Sequence, residues 1–453
     1  MLQLQGQPES SVRKGKYVMK TWNCPAGAFC GSETESCYHL SGIRYAESDR
    51  FCKPTAYCYP AGVHVCRDKS PYAVQLASKP ESYLFGMDYT IMKQEESCQY
   101  LSITIPKTTP ADAKLPVMVW IHGGAFRNGG CDNDYYDSSL LATEGNVIVV
   151  KINFRLGVLG FVKDKAGKPA NLGLMDVITA LQWIQNNIEF FGGDRRNVTL
   201  FGQSAGAQTI AGILVADGTD DLFKNAIMES TPLGAMDNRQ AMDAKMMEEM
   251  NMLPDDASTD EVRQKQGEIL DNITEKGTPK YMPFAPHYGI EPLPTEAVAV
   301  ERLRERASRH SLLIGCNARE TAAYIGTNKT LSALYGFPLT RGLLEGILNK
   351  KTNEIFANPS KKFAADYAKA GGASWYYTIS WGSRDSMLRA CHCMEMILLF
   401  GWENPEGQNV AMGMSKNEIV EEGKKLRSIW CEFAKTGEVT QLEIPEMISI
   451  KKQ

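Results

Sequence analysis

The chain is notable first for what it lacks. No stretch of its 453 residues approaches the roughly 20 consecutive apolar residues that a membrane-spanning helix requires. The opening MLQLQGQPESSVRKGK has no apolar centre of the kind a secretory leader carries, so a soluble, cytoplasmic protein is expected. An excess of one charge is missing too. Lys and Arg together number 49 against 53 Asp and Glu, a net charge of −4, which provides no field for a polyanion. The short basic clusters at 302–309 and 350–351 have the character of solvated helix faces. Neither nucleic acid nor membrane is expected as a partner. Repeats, low-complexity tracts and evident linkers are absent as well, and no C-x-x-C pair occurs. Cysteine itself is not scarce: six of the twelve, Cys24, Cys30, Cys37, Cys52, Cys58 and Cys66, crowd the first part of the chain. Without a leader, reduced thiols are expected there, in preference to a zinc site drawing on His39 or His64.

What is present is apolar patterning. Hydrophobic residues make up 43 % of the chain, ample for a core, and large α/β enzymes fill such a length with one sheet and its insertions. Residues 1–110 alternate short β-like runs with Gly and Pro turns, a β-rich N-terminal part. From LPVMVWIHGG and NVIVVKINF onward the runs become almost continuously apolar, as in parallel strands covered on both faces. GLMDVITALQWIQNNIEFFGG spaces its apolar residues as a helix does and stops at Gly192. FKNAIMES, HSLLIGCN and SWYYTISWG supply three later strands. Residues 231–300 and 325–372 are helical and charged, and are expected as insertions over the active edge of one sheet, within a single domain spanning 1–453.

One stretch carries chemistry on its face. In NVTLFGQSAGAQTIAGILVA a strand runs without a loop into Gly-Gln-Ser-Ala-Gly and then into a helix of small residues. Gly202 and Gly206 stand where a side chain would collide with so tight a turn, which puts Ser204 on a nucleophile elbow at a helix N-terminus. A serine needs a base, and the base an orienting acid. Of six histidines, His392 in RACHCMEMILLFG is the one that follows both the serine and a candidate acid, the chain order of an α/β-hydrolase. Three carboxylates compete for the acid: Glu320 at the end of SLLIGCNARE, Asp385 after the next strand, and Glu395 three residues beyond the histidine. HGGAF, following Val117–Ile121, offers Gly123 and Gly124 to an oxyanion together with the N–H of Ala205.

These segments resemble the type B carboxylesterases, the carboxylesterase and cholinesterase family, from about Gly42 to Gly437. GIRYAESDRFCKP, ESCQYLSI and INFRLGVLGF are similar to three of its signatures, and NLGLMD…ALQWIQNNIEFFGGDRRNVTLFGQSAGA to its longest. The resemblance of GCNARE and HCMEMILLFG to the family's acid and base motifs implies those roles for Glu320 and His392. It also implies an α/β-hydrolase fold, a large, mostly parallel sheet covered by helices on both faces, in a compact member of microbial type.

Departures accompany the likeness. The family usually has Glu before the nucleophile, where this chain has Gln203. The cysteine that secreted members bridge to Cys98 has no counterpart near Ala73, and Ala73–Cys98 holds no Trp, which argues against choline esters. The short spacing from Glu320 to His392 implies a pared-down lid. The implied activity is cleavage of carboxylic esters, of short-to-medium acyl or aryl type, through an acyl-enzyme, with no metal or organic cofactor and a small-molecule ester as the partner. Two alternatives are a non-catalytic interaction protein of the same fold and a lipase. Monomer and homodimer both remain open. Cys391 and Cys393, flanking the base, are expected as packing residues.

Overall fold

The computed structural model describes residues 20–453 except 111, 163–168, 237, 274–278 and 403–407, so the N-terminal segment on which the leader expectation rests lies outside the described residues. Eleven strands form the main sheet: β1 (Ser32–Glu33), β2 (Cys37–Arg44), β3 (Tyr100–Pro106), β4 (Leu115–Ile121), β5 (Ile148–Ile152), β6 (Gly193–Gln203), β7 (Asn225–Glu229), β8 (Ser311–Asn317), β9 (Ser374–Ile379), β10 (Glu443–Ile444) and β11 (Ile448–Lys452). Their spatial order is β10-β11-β9-β8-β7-β6-β4-β5-β3-β2-β1.

The run from β9 through β5 is parallel throughout, and antiparallel strands flank it on both sides. The apolar, β-branched sequences explain the parallel centre. IVVKI of β5 and NAIME of β7 are buried along their whole length, which a sheet tolerates only with cover on both faces. Lys151 survives inside β5 because its ammonium donates to the Tyr136 carbonyl at 3.0 Å and lies 3.5 Å from Asp132.

Part of the β-rich N-terminal stretch is built into this sheet. The buried run LSITIP of β3 pairs with both β2 and β5, because its apolar side chains need the core that only the large sheet supplies. Thr21–Cys24, Gly27–Cys30 and Val63–Val65 form a separate three-stranded sheet.

Helices cover both faces. Leu172–Asn187 buries most of its side chains, passes into a 3₁₀ turn at Ile188–Phe191 and stops at Gly192, whose φ of 88° is the left-handed cap that glycine adopts without cost. Among the intervening helices, Thr259–Asp271 opens with a reciprocal capping box between Ser258 and Glu261. The stretch 325–372 holds Lys329–Tyr335, Pro338–Thr352, a π-turn at Asn353–Ala357 and Asn358–Lys369. No helix among the described residues is long and apolar enough to cross a membrane.

Candidate active site

At the C-terminal end of β6 the chain turns directly into the helix Ala205–Ile213, and Ser204 occupies the corner at φ 55° and ψ −116°. An L residue is held in that conformation only when its surroundings over-determine it. The surroundings are backbone. A Cβ on Gly206 would stand 1.9 Å from the Ile121 carbonyl oxygen, and one on Gly202 would stand 2.7 Å from the same atom. The end of β4 therefore packs directly on the turn, and any larger residue would push the two strands apart. Ser204 N–H donates to the Glu229 carbonyl at 2.8 Å, while its own carbonyl accepts from Gln208 N–H at 2.9 Å. The serine is 7 % exposed.

The HGGAF loop leaves β4 alongside. Gly124, Ala125 and Phe126 have successive φ values of 109°, 53° and 57°, so the loop coils back on itself, and a Cβ on Gly124 would strike the Asn128 carbonyl at 2.0 Å. Gly123 lies against the elbow, where a Cβ would fall 2.8 Å from the Gln203 carbonyl and 3.3 Å from Ser204 Cβ. His122 props the loop, donating from Nδ1 to the Gly123 carbonyl at 2.8 Å with its ring stacked 4.7 Å from that of Phe154. Burial brings its pKa down to about 4, so the ring is a neutral strut.

Glu320 and His392, expected as acid and base, follow β8 and β9 on the other flank of β6. Glu320 opens a 3₁₀ turn just beyond β8 and is fully buried. Its Oε1 accepts from the backbone N–H of Asn317 at 2.6 Å. Its Oε2 lies 2.5 Å from His392 Nδ1, and the Glu320 carbonyl accepts from His392 N–H at 3.2 Å. His392 sits before the helix Met394–Phe400, its ring centroid 5.2 Å from that of Phe356 on the π-turn. Burial alone would lower the His392 pKa, but the charge and hydrogen bond of Glu320, aided by Glu395, raise it above the ordinary imidazole value.

The rival carboxylates fall elsewhere. Asp385 is exposed, its backbone N–H bonded to Ser383 Oγ. Glu395 is fully buried behind the pair, accepting from Ser230 Oγ at 2.7 Å and from Asn317 Nδ2. Burial, then the neighbouring Glu320 charge, raises its pKa. Burial, then the charge of Glu395, pushes the pKa of neighbouring Glu229 well up, and Trp430 Nε1 donates to its carboxyl at 2.7 Å. Asn317, Ser230 and Phe356 escaped the sequence reading. Only Asn317 carried a signal, its place three residues before Glu320. The thiols of Cys391 and Cys393 are both buried, and burial pushes both pKa values up. The chain between them is not extended: Cys393 takes φ 75° as the path bends into its helix.

A mixed sheet with a parallel centre, a serine on a strand-to-helix elbow and a glycine loop beside it define an α/β-hydrolase. Residues 20–333 match the family described as the carboxylesterase family. A probable N-octanoylanthranilate hydrolase of Rhodococcus erythropolis is 34 % identical over 93 % of this chain and 94 % of its own length. The para-nitrobenzyl esterase of Bacillus subtilis (strain 168) is 34 % identical over 79 % of this chain and 78 % of its own. Among solved structures, a thermophilic PNB esterase superposes with a TM-score of 0.78 at 26 % identity, covering 96 % of this chain and 98 % of that one. The chain belongs to the carboxylesterase family and is a carboxylic ester hydrolase.

Proposed function

We propose that the chain cleaves short-to-medium acyl or aryl carboxylic esters through Ser204, His392 and Glu320. Ser204 Oγ attacks the ester carbonyl while His392 Nε2 takes its proton. Gly123, Gly124 and Ala205 N–H groups hold the oxyanion, the alcohol leaves with the proton from His392, and water repeats the sequence on the acyl-enzyme. The observation that carries this reading is the 2.5 Å contact between His392 Nδ1 and Glu320 Oε2. It holds the proton on Nδ1 and leaves Nε2 as the basic nitrogen. The fixed carboxylate then stabilises the imidazolium that forms during attack.

The names of the two relatives, one for an octanoyl group on anthranilate and one for para-nitrobenzyl esters, support aromatic leaving groups and medium acyl chains. The whole chain, 1–453, is read as one catalytic unit roofed by 231–300 and 325–372, with Phe356 the roof residue packed on the base. A cytoplasmic setting belongs to the same reading, and the buried free thiol of Cys98 supports it. Profiling purified protein on nitrophenyl esters of increasing acyl length tests the substrate class. A peak between acetyl and octanoyl is expected, and turnover confined to long-chain emulsified esters would sink it.

A further inference from the structure

Beside the triad stands a charge that ester cleavage does not use. Arg127 closes the HGGAF loop, its N–H donating to the Gly124 carbonyl at 3.0 Å as that of Asn128 does. The residue is half-buried, yet among the described residues no hydrogen bond or ion pair reaches its guanidinium. The buried and half-buried arginines Arg50, Arg155, Arg319 and Arg427 each hold a carboxylate. A guanidinium drawn partly out of water with no partner costs free energy that a bound anion would return.

Its neighbours are aromatic on one side and acidic on the other. Tyr324, on the turn Ala323–Gly326 that follows Glu320, is half-buried; burial raises its pKa, and the charges of Cys393, Arg127 and Glu320 act on it as well. The Tyr281 ring, brought in by the stretch 231–300, lies 5.4 Å from that of Tyr324, with the Lys280 ammonium 5.4 Å over its own centre. Glu81, in the helix Lys79–Phe85, backs the loop: a Cβ on Gly124 would fall 3.2 Å from its Oε1, while its Oε2 is enclosed without a hydrogen-bond partner. The Arg127 charge acts on this carboxyl without forming an ion pair, and burial prevails, bringing its pKa up to about 7. A second carboxylate arriving there would drive Glu81 further toward its protonated form, which donates a hydrogen bond where an ionised Glu81 would repel. The departing alcohol takes its proton from His392 and so lies on the side of the base, where Tyr324 feels both Glu320 and Cys393.

Resting on the esterase reading above, we propose that Arg127 is a specificity residue for the leaving group: its guanidinium pairs with a carboxylate carried on an aromatic alcohol whose ring lies against Tyr281 and Tyr324. The preferred substrates are then esters of hydroxylated aromatic acids. A cationic alcohol is disfavoured, since it would meet Arg127 and Lys280.

The test compares kcat/KM of the full chain at neutral pH on three butyrates of one shape: the 3-carboxyphenyl, 3-carbamoylphenyl and 3-(trimethylammonio)phenyl esters. Wild type should favour the carboxylate over the amide by about ten-fold or more and turn over the cationic ester most slowly. Arg127→Met should cost the carboxylate ester about ten- to hundred-fold and the amide ester less than about three-fold, with Arg127→Lys keeping part of the preference. Equal losses on the two esters, or no loss on either, overturn the proposal. So does a preference for the cationic ester that Glu81→Gln removes, which would make Glu81 the anchor. If Arg127→Met does not fold, wild type decides: 3-hydroxybenzoate should inhibit competitively about ten-fold more tightly than 3-hydroxybenzamide, and equal inhibition overturns the assignment. Turnover of none of the three esters, or of all by Ser204→Ala as fast as by wild type, brings down the esterase reading itself.

Discussion

The two halves of the site are built by different physics. The nucleophile half, from β4 through the elbow to Ala205–Ile213, is held by backbone contact: glycines at 123, 202 and 206 admit carbonyls to within distances no Cβ would allow. The base half, from β8 to Met394–Phe400, is held by side-chain polarity, with three buried carboxyls gathered by Asn317, Ser230, Trp430 and His392. The first half is fixed by steric contact, and its His122 strut stays neutral down to a pH of about 4. The second is set by burial and charge, so its protonation follows the solution. A serine hydrolase of this kind can fix the direction of attack in backbone and still tune its base through side chains.

The largest expected effect falls on the first half. Ser204→Ala should lower kcat by a factor on the order of 10⁴ or more, with the melting temperature unchanged, as measured on a nitrophenyl ester. Retention of a tenth of the activity would end the contrast at its root. In the second half, Glu320→Gln should cost about 10³- to 10⁴-fold in kcat, since an amide cannot stabilise the imidazolium, while exposed Asp385→Asn leaves turnover unchanged. Reversal of that pair would place the acid after β9.

Stability separates the backbone-packed half from the roof. Gly206→Ala should destabilise by about 1–3 kcal/mol or more, because its Cβ would meet the Ile121 carbonyl at 1.9 Å. Gly346→Ala, in the helix Pro338–Thr352 with open space around it, should stabilise by about 0.5–1 kcal/mol. Urea melts of both variants check this, and equal effects would show that the elbow is not sterically special.

The pH dependence belongs to the base half alone. Because Glu320 and Glu395 raise the His392 pKa above its ordinary value, the ring becomes charged and loses its lone pair at a higher pH than a free imidazole does. The acid limb of kcat/KM should therefore have its midpoint above about 6.5, the rate falling as pH drops through it. A midpoint at or below that value would mean that burial outweighs Glu320 and Glu395. The smallest effect is expected from Cys391→Ser with Cys393→Ser. Both thiols are buried and pushed up, so turnover should persist and iodoacetamide should inactivate wild type slowly. Rapid inactivation that substrate blocks and the double variant abolishes would make the thiols part of the site.

Sequence alone was sufficient for what depends on neighbours along the chain. The strands of β4, β5 and β6, the glycine-bounded serine and the HGGAF loop follow from apolar runs and from residues without a Cβ, because sterics and burial act over a few positions. The β-rich N-terminal stretch showed the limit: its runs marked strands, but nothing local said that β2 and β3 join the main sheet. The choice among Glu320, Asp385 and Glu395 was open on spacing and leaned on family resemblance. Tertiary structure alone puts Asp385 in solvent, Glu395 behind the pair and Glu320 against the ring. It alone lays Phe356 on His392 and brings the Gln203 amide to 3.1 Å from Nε2 and 3.5 Å from Nδ1 of the same ring. These groups lie tens to hundreds of residues apart, and a pKa or a hydrogen bond depends on distance and burial in space, which no local pattern encodes.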